Sequence, residues 1–203
     1  MKKLFGFAVA SLLAFAAVGS AQDKEARKDE KKDTGPVKLT LVAKTDKYKF
    51  DGGGKTPEEF KALLEEAKKS ADKGKPVAPP KAPAVDLVLQ FTNTGKEEVT
   101  IHVGGDSNVW TFELTGEAGV AALPNFAPMT LEFRIPKAVT LAPGKSHEIP
   151  VKSLADGTRG VGRFVYWTGP GEYKLSAKYQ LSDKDGGKAA ELKSEPVKIT
   201  VEK

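Results

Sequence analysis

Val85-Asp86-Leu87-Val88-Leu89-Gln90-Phe91-Thr92-Asn93-Thr94-Gly95 runs through Lys96-Glu97-Glu98 into Val99-Thr100-Ile101-His102-Val103, and the fold is read from this stretch. Val85, Leu87, Leu89 and Phe91 fall on one face of an extended chain, because successive side chains in a strand point to opposite sides. Asn93-Thr94-Gly95 has turn chemistry, and Val99, Ile101 and Val103 then resume the alternation. The pattern predicts a β-hairpin with one face toward a core and the other toward water.

The same alternation recurs downstream. Trp110, Phe112 and Leu114 form one set, Leu131, Phe133 and Ile135 a second, and Val139 with Leu141 a third that leads into an Ala142-Pro143-Gly144-Lys145 turn. Ile149 and Val151 follow, then the continuous run Phe164-Val165-Tyr166-Trp167. Tyr173, Leu175, Ala177, Tyr179 and Leu181 share a face, and Val197, Ile199 and Val201 close the chain. Short strands at this spacing, separated by Gly and Pro turns, predict an all-β antiparallel sandwich.

Upstream, Val37, Leu39, Leu41 and Ala43 read as the first strand, and Lys47 to Phe50 as its extension or a second short piece. Residues 52–84 then interrupt the β pattern as an insertion. Thr56-Pro57-Glu58-Glu59 is a strong helix start: a capping threonine, a proline at the first helical position and a glutamate that completes the capping box. Phe60, Leu63, Leu64 and Ala67 recur at helical spacing, so the helix should run to about Ala71 and stop near Gly74. Lys75 to Pro83 is a proline-rich extended connector. With so narrow an apolar stripe the helix is expected to dock lightly, so that a short loop could replace it without loss of the β fold.

The N-terminus has different chemistry. Lys2 and Lys3, an apolar stretch from Leu4 to Val18, and Gly19-Ser20-Ala21 read as a secretory signal peptide over residues 1–21, cleaved near Ala21. The apolar run is too short for a membrane span. Gln22 to Gly35 has almost no apolar residue and reads as a disordered charged arm. The remaining residues, 36–203, form a single β-sandwich domain that includes the insertion. Loss of Lys2 and Lys3 takes the net charge from +5 to +3 (32 less 2 basic side chains against 27 acidic). Lys and Glu are interleaved, which is a solvated surface and not a nucleic-acid footprint. The chain has no cysteine, so disulfides and lipid attachment through a Cys are excluded.

Gly171-Glu172-Tyr173-Lys174-Leu175 resembles the tyrosine corner of immunoglobulin-like sandwiches. The resemblance implies that the Tyr173 hydroxyl bonds back to nearby backbone, a structural role. Three phrases together also resemble the BsuPI-type proteinase inhibitor domain, a small immunoglobulin-like module. They are Phe91-Thr92-Asn93-Thr94 with Val99-Thr100-Ile101, then Val139-Thr140-Leu141-Ala142-Pro143-Gly144, then Pro170 to Leu175. They span roughly Val85 to Leu181 and imply an immunoglobulin-like β-sandwich, with inhibition as a function that such a module can carry.

Catalytic chemistry is hard to find in the sequence. His102 alternates outward and His147 sits beside a turn, with no further ligands marked out near either. No nucleophile elbow and no phosphate-binding loop is present. Asp183-Lys184-Asp185-Gly186 departs from the calcium-loop spacing and reads as a turn. No enzyme activity, cofactor or metal is therefore expected. The expected function is that of a secreted, non-enzymatic envelope module that binds or scaffolds a protein or polymer. Two alternatives carry specific residues. A protease inhibitor would present Gly116 to Met129, or Ala155 to Gly162 with Arg159. A carbohydrate-binding module would use Trp110 or Trp167 as an aromatic platform.

Overall fold

In the computed structural model, the described residues are 35–75, 77–125, 132–158 and 160–203. The expected leader (residues 1–21), nearly all of the expected charged arm, Leu131, Met129 and Arg159 lie outside them. In chain order the elements are β1 (Val37–Ala43), β2 (Lys47–Lys49), α1 (Pro57–Asp72), β3 (Ala84–Asn93), β4 (Val99–Val103), β5 (Trp110–Gly116) and β6 (Val120–Asn125). There follow β7 (Lys137–Leu141), β8 (Ser146–Ser153), β9 (Ala155–Thr158), β10 (Val161–Trp167), β11 (Gly171–Ser182), β12 (Lys188–Lys193) and β13 (Val197–Glu202).

The strands form a three-stranded sheet, β1-β3-β8, and a larger one built around β11. One edge of β11 pairs with β5 from Tyr173 to Tyr179. Its other edge pairs first with β13 and then with β12. Where those two strands part, Ser194 fills the gap: its hydroxyl accepts from Ala177 N–H at 2.9 Å, and its own N–H donates to Ala177 C=O at 2.9 Å. Leu39, Leu41, Leu87, Leu89 and Phe91 of the smaller sheet meet Phe112, Leu175, Ala177 and Tyr179 of the larger one in a shared core. The pairs are antiparallel except β2 with β13, which run parallel.

The expected hairpin from Val85 to Val103 does not form. β3 pairs with β1 and β8, whereas β4 pairs with β7 and β11, so the chain crosses between sheets at Asn93-Thr94-Gly95. Alternation records which side chains face the core; two strands on opposite walls of one core read the same as two neighbours. Asn93 fixes the crossing. Its side-chain amide donates to Glu97 C=O at 2.7 Å and to Leu141 C=O at 2.8 Å, and its oxygen accepts from Gly95 N–H at 2.8 Å.

Other expectations need similar correction. Phe133 and Ile135 belong to no strand and are 62% and 70% exposed. Of the loop expected from Gly116 to Met129, residues 120–125 are strand β6, and 126–129 lie outside the described residues. The loop expected from Ala155 to Gly162 is largely a paired hairpin of β9 and β10.

The helix starts as its sequence dictates. Glu59 N–H donates to Thr56 Oγ1 at 3.2 Å and Thr56 N–H donates to Glu59 Oε2 at 3.0 Å. It ends as the chain reaches Gly74, whose φ of 70° favours glycine. Its docking is not light. Phe60, Leu64 and Ala67 bury themselves with Leu123 of β6 and Tyr166 of β10 in a second core. Tyr166 also donates to Pro80 C=O at 2.6 Å and so ties down the proline connector.

Candidate functional site

A cavity of about 560 Å³ opens between α1 and the strands β5, β6 and β10. Phe112, Leu114, Ala122 and Val165 give it apolar walls, Leu64, Glu65 and Lys68 of the helix form one rim, and Arg163 lies at one end. The opening follows from topology. β9 meets β5 only at Trp110, opposite Gly157, because the chain before β9 passes out of this sheet into β8. Beyond Trp110, no strand among the described residues pairs with this edge of β5.

Side chains take over at Phe112. Its N–H donates to Asp156 Oδ2 at 2.6 Å, and its C=O accepts from Arg163 Nη2 at 2.9 Å. Asp156 and Arg163 are themselves joined twice, at 3.0 Å through Nε and 2.6 Å through Nη2. The Asp156 side chain has no exposed surface, whereas that of Arg163 is 41% exposed. The carboxylate pushes the Arg163 guanidinium above its usual pKa. This fork closes one end of the groove and locks β5 to the β9–β10 hairpin.

Glu113 points outward from β5 and is held by Lys178 at 2.6 Å and Lys193 at 2.9 Å. The two ammonium groups keep its carboxyl at about 2, Lys178 contributing most. Three charges on this face are therefore already engaged.

The aromatic candidates lie elsewhere. Trp167 is 3% exposed and packs in the main core against Tyr48 and Tyr173, with ring centroids 5.5 and 6.2 Å away. Trp110 is half-buried, stacks on Tyr179, and donates its indole N–H to Ala155 C=O at 3.2 Å. The Trp167 ring is thus committed to the core and cannot serve as a platform, whereas Trp110 is only half-buried. Arg159 lies outside the described residues. His102 sits on β4 and His147 on β8, in different sheets. Among the described residues no three His, Asp or Glu side chains gather to hold a metal. No helix among them is long and apolar enough to cross a membrane.

Tyr173 is buried, and its hydroxyl donates to Gly169 C=O at 2.7 Å. Its ring lies over Gly116, its partner across the ladder, where a Cβ would overlap the ring. Tyr179 provides the contrast. Burial pushes its hydroxyl up to about 12, the Gly104 backbone that opposes this shift lies outside hydrogen-bond geometry, and the oxygen has no partner among the described residues. Tyr173→Phe is therefore expected to cost about 0.5–1.5 kcal/mol, whereas Tyr179→Phe should be neutral or slightly stabilising. Denaturant midpoints for the two variants check this; equal losses would mean that the Tyr179 hydroxyl is bonded after all.

The fold and groove together define a class: a mostly-β protein of two sheets and one packed helix, with an open strand edge beside a cavity. No family model matches the chain, and no curated protein matches it. Among solved structures it is similar to a FixG-related protein from Vibrio parahaemolyticus, at 8% identity and a TM-score of 0.26, over 83% of this chain and 99% of that one. A likeness that loose carries neither fold nor function.

Proposed function

We propose that the chain is an exported, non-enzymatic, immunoglobulin-like module of the cell envelope that binds another protein through the groove between α1 and β5. The observation that carries this is the edge of β5 beyond Trp110, which has no strand partner among the described residues and borders the cavity of about 560 Å³. Cavities of that size with apolar walls and a few polar groups are common binding sites. The immunoglobulin-like part is supported by the Tyr173–Gly169 bond, which has the form of a tyrosine corner. Export is supported by the leader chemistry of residues 1–21. The resemblance to the BsuPI-type inhibitor domain agrees with a protein as the partner, although the described parts of the loops that it would use are largely strand.

The test places a photo-crosslinking residue, p-benzoylphenylalanine, at Ala122 in the groove or at Thr40 on the outer face of the smaller sheet. In cells that export the protein, discrete protein adducts are expected from position 122 and not from position 40. Equal labelling at both positions, or none at 122, would remove the groove as the binding site.

A further inference from the structure

The edge of β5 specifies the conformation of what enters the groove. The Phe112 N–H and C=O point away from β11, since Asp156 and Arg163 engage them. Backbone groups two residues apart along a strand point the same way. The N–H and C=O of Leu114 therefore also face the groove, where no strand among the described residues pairs with β5. From Phe112 to Gly116 this edge extends about 13 Å, room for about four residues of an added strand.

The charges narrow the choice further. Glu113 is engaged by Lys178 and Lys193, and Arg163 by Asp156. The helix rim adds Glu65 and Lys68, one of each sign. The four charged side chains that line the groove, Glu65, Lys68, Glu113 and Arg163, sum to zero, and its walls are the apolar Phe112, Leu114, Ala122 and Val165. We propose, resting on the groove as the protein-binding site, that the occupant is an extended, uncharged segment of a partner polypeptide. It adds to β5 as a further strand, exchanges two main-chain hydrogen bonds with Leu114, and places small or β-branched side chains against Ala122 and Val165.

The test uses the full mature chain and a displayed library of ten-residue peptides. The best selected peptide is expected to slow hydrogen exchange of the Leu114 amide and to lose binding to Ala122→Trp, which fills the groove. N-methylation of its main chain at alternate residues, in one of the two registers, should weaken binding roughly tenfold, the loss expected for the one hydrogen bond that the peptide N–H donates to Leu114 C=O. Wild-type protein suffices for that comparison, so a misfolded Ala122→Trp would not rescue the idea. Binding insensitive to N-methylation in both registers, or no selected peptide that protects Leu114, overturns strand addition. Adducts at position 122 alongside either result would leave the groove a binding site of another kind. A concentration-dependent dimer abolished by Ala122→Trp would also overturn the proposal, in favour of a second copy as the occupant.

Discussion

Arg163→Met is expected to cost about 3–5 kcal/mol of folding stability, the range for breaking a buried ion pair by removing one partner. The variant keeps most of the aliphatic stem but strands Asp156, whose side chain has no exposed surface and would retain only the Phe112 N–H at 2.6 Å. Asp156→Ala should cost less, because the Arg163 side chain is 41% exposed and water can take over part of its hydrogen bonding. In that variant the main loss is the orphaned Phe112 N–H and the tie between β5 and the β9–β10 hairpin. A double replacement, Asp156→Leu with Arg163→Met, removes both charges and should recover part of the loss. It should not return to the starting stability, since both backbone groups of Phe112 lose their partners, a deficit of about 1–3 kcal/mol. Denaturant midpoints at constant slope order the three variants. Arg163→Met within 1 kcal/mol of the parent would show that the fork is ornamental and that β5 is held from the β11 side alone.

That fork was not legible in the sequence, and the reason is specific. Asp156 and Arg163 lie seven residues apart in a stretch that reads as a loop, because Ala155-Asp156-Gly157 and Gly160 have turn chemistry and little apolar alternation. The apolar signal of β6 is equally thin: Val120-Ala121-Ala122-Leu123 contains only two large side chains. Local rules sufficed where a local bond sets the structure. Thr56 and Glu59 close their capping box within four residues, and α1 begins where they place it. Phe133 and Ile135 show the opposite case. They alternate as strand residues would, yet Arg134 N–H and Nε turn to Asp106 at 3.0 and 3.2 Å and draw the segment along the surface. No periodicity reports an ion pair formed across 28 residues. Partner choice between strands failed for the same reason at β3 and β4, where the Asn93 side chain bonds across 48 residues to Leu141. Of the groove, the sequence supplied the start of α1 and the inward face of β5; the missing strand partner depends on where β9 leaves its sheet.

Replacing residues 53–81 by a short Gly/Ser loop is expected to break the cooperative unfolding of the chain and to produce a dye-binding, aggregating protein. Loop-closure entropy alone would permit the deletion, since it changes slowly with length. Packing forbids it. The deletion removes Phe60, Leu64 and Ala67, and it uncovers Leu123 and Tyr166, which together form a second core separate from the one between the sheets. Each large side chain returned to water costs about 1.5–3 kcal/mol, so two removed and two uncovered approach the roughly 5–15 kcal/mol that holds a typical domain together. Tyr166 also loses its 2.6 Å bond to Pro80. The exposed surface is the worst one available, because β6 ends its sheet and an apolar edge strand invites pairing with another chain. The single variant Leu64→Ala separates packing from chain length and should cost about 2–5 kcal/mol while leaving the connector intact. Binding of 1-anilinonaphthalene-8-sulfonate and sedimentation velocity read the first variant, and the denaturant midpoint reads the second. A deletion protein that stays monomeric and unfolds in one sharp transition near the parent midpoint would show that the main core stands alone. In that case the helix would be a cover for the groove and no part of what holds the sheets together.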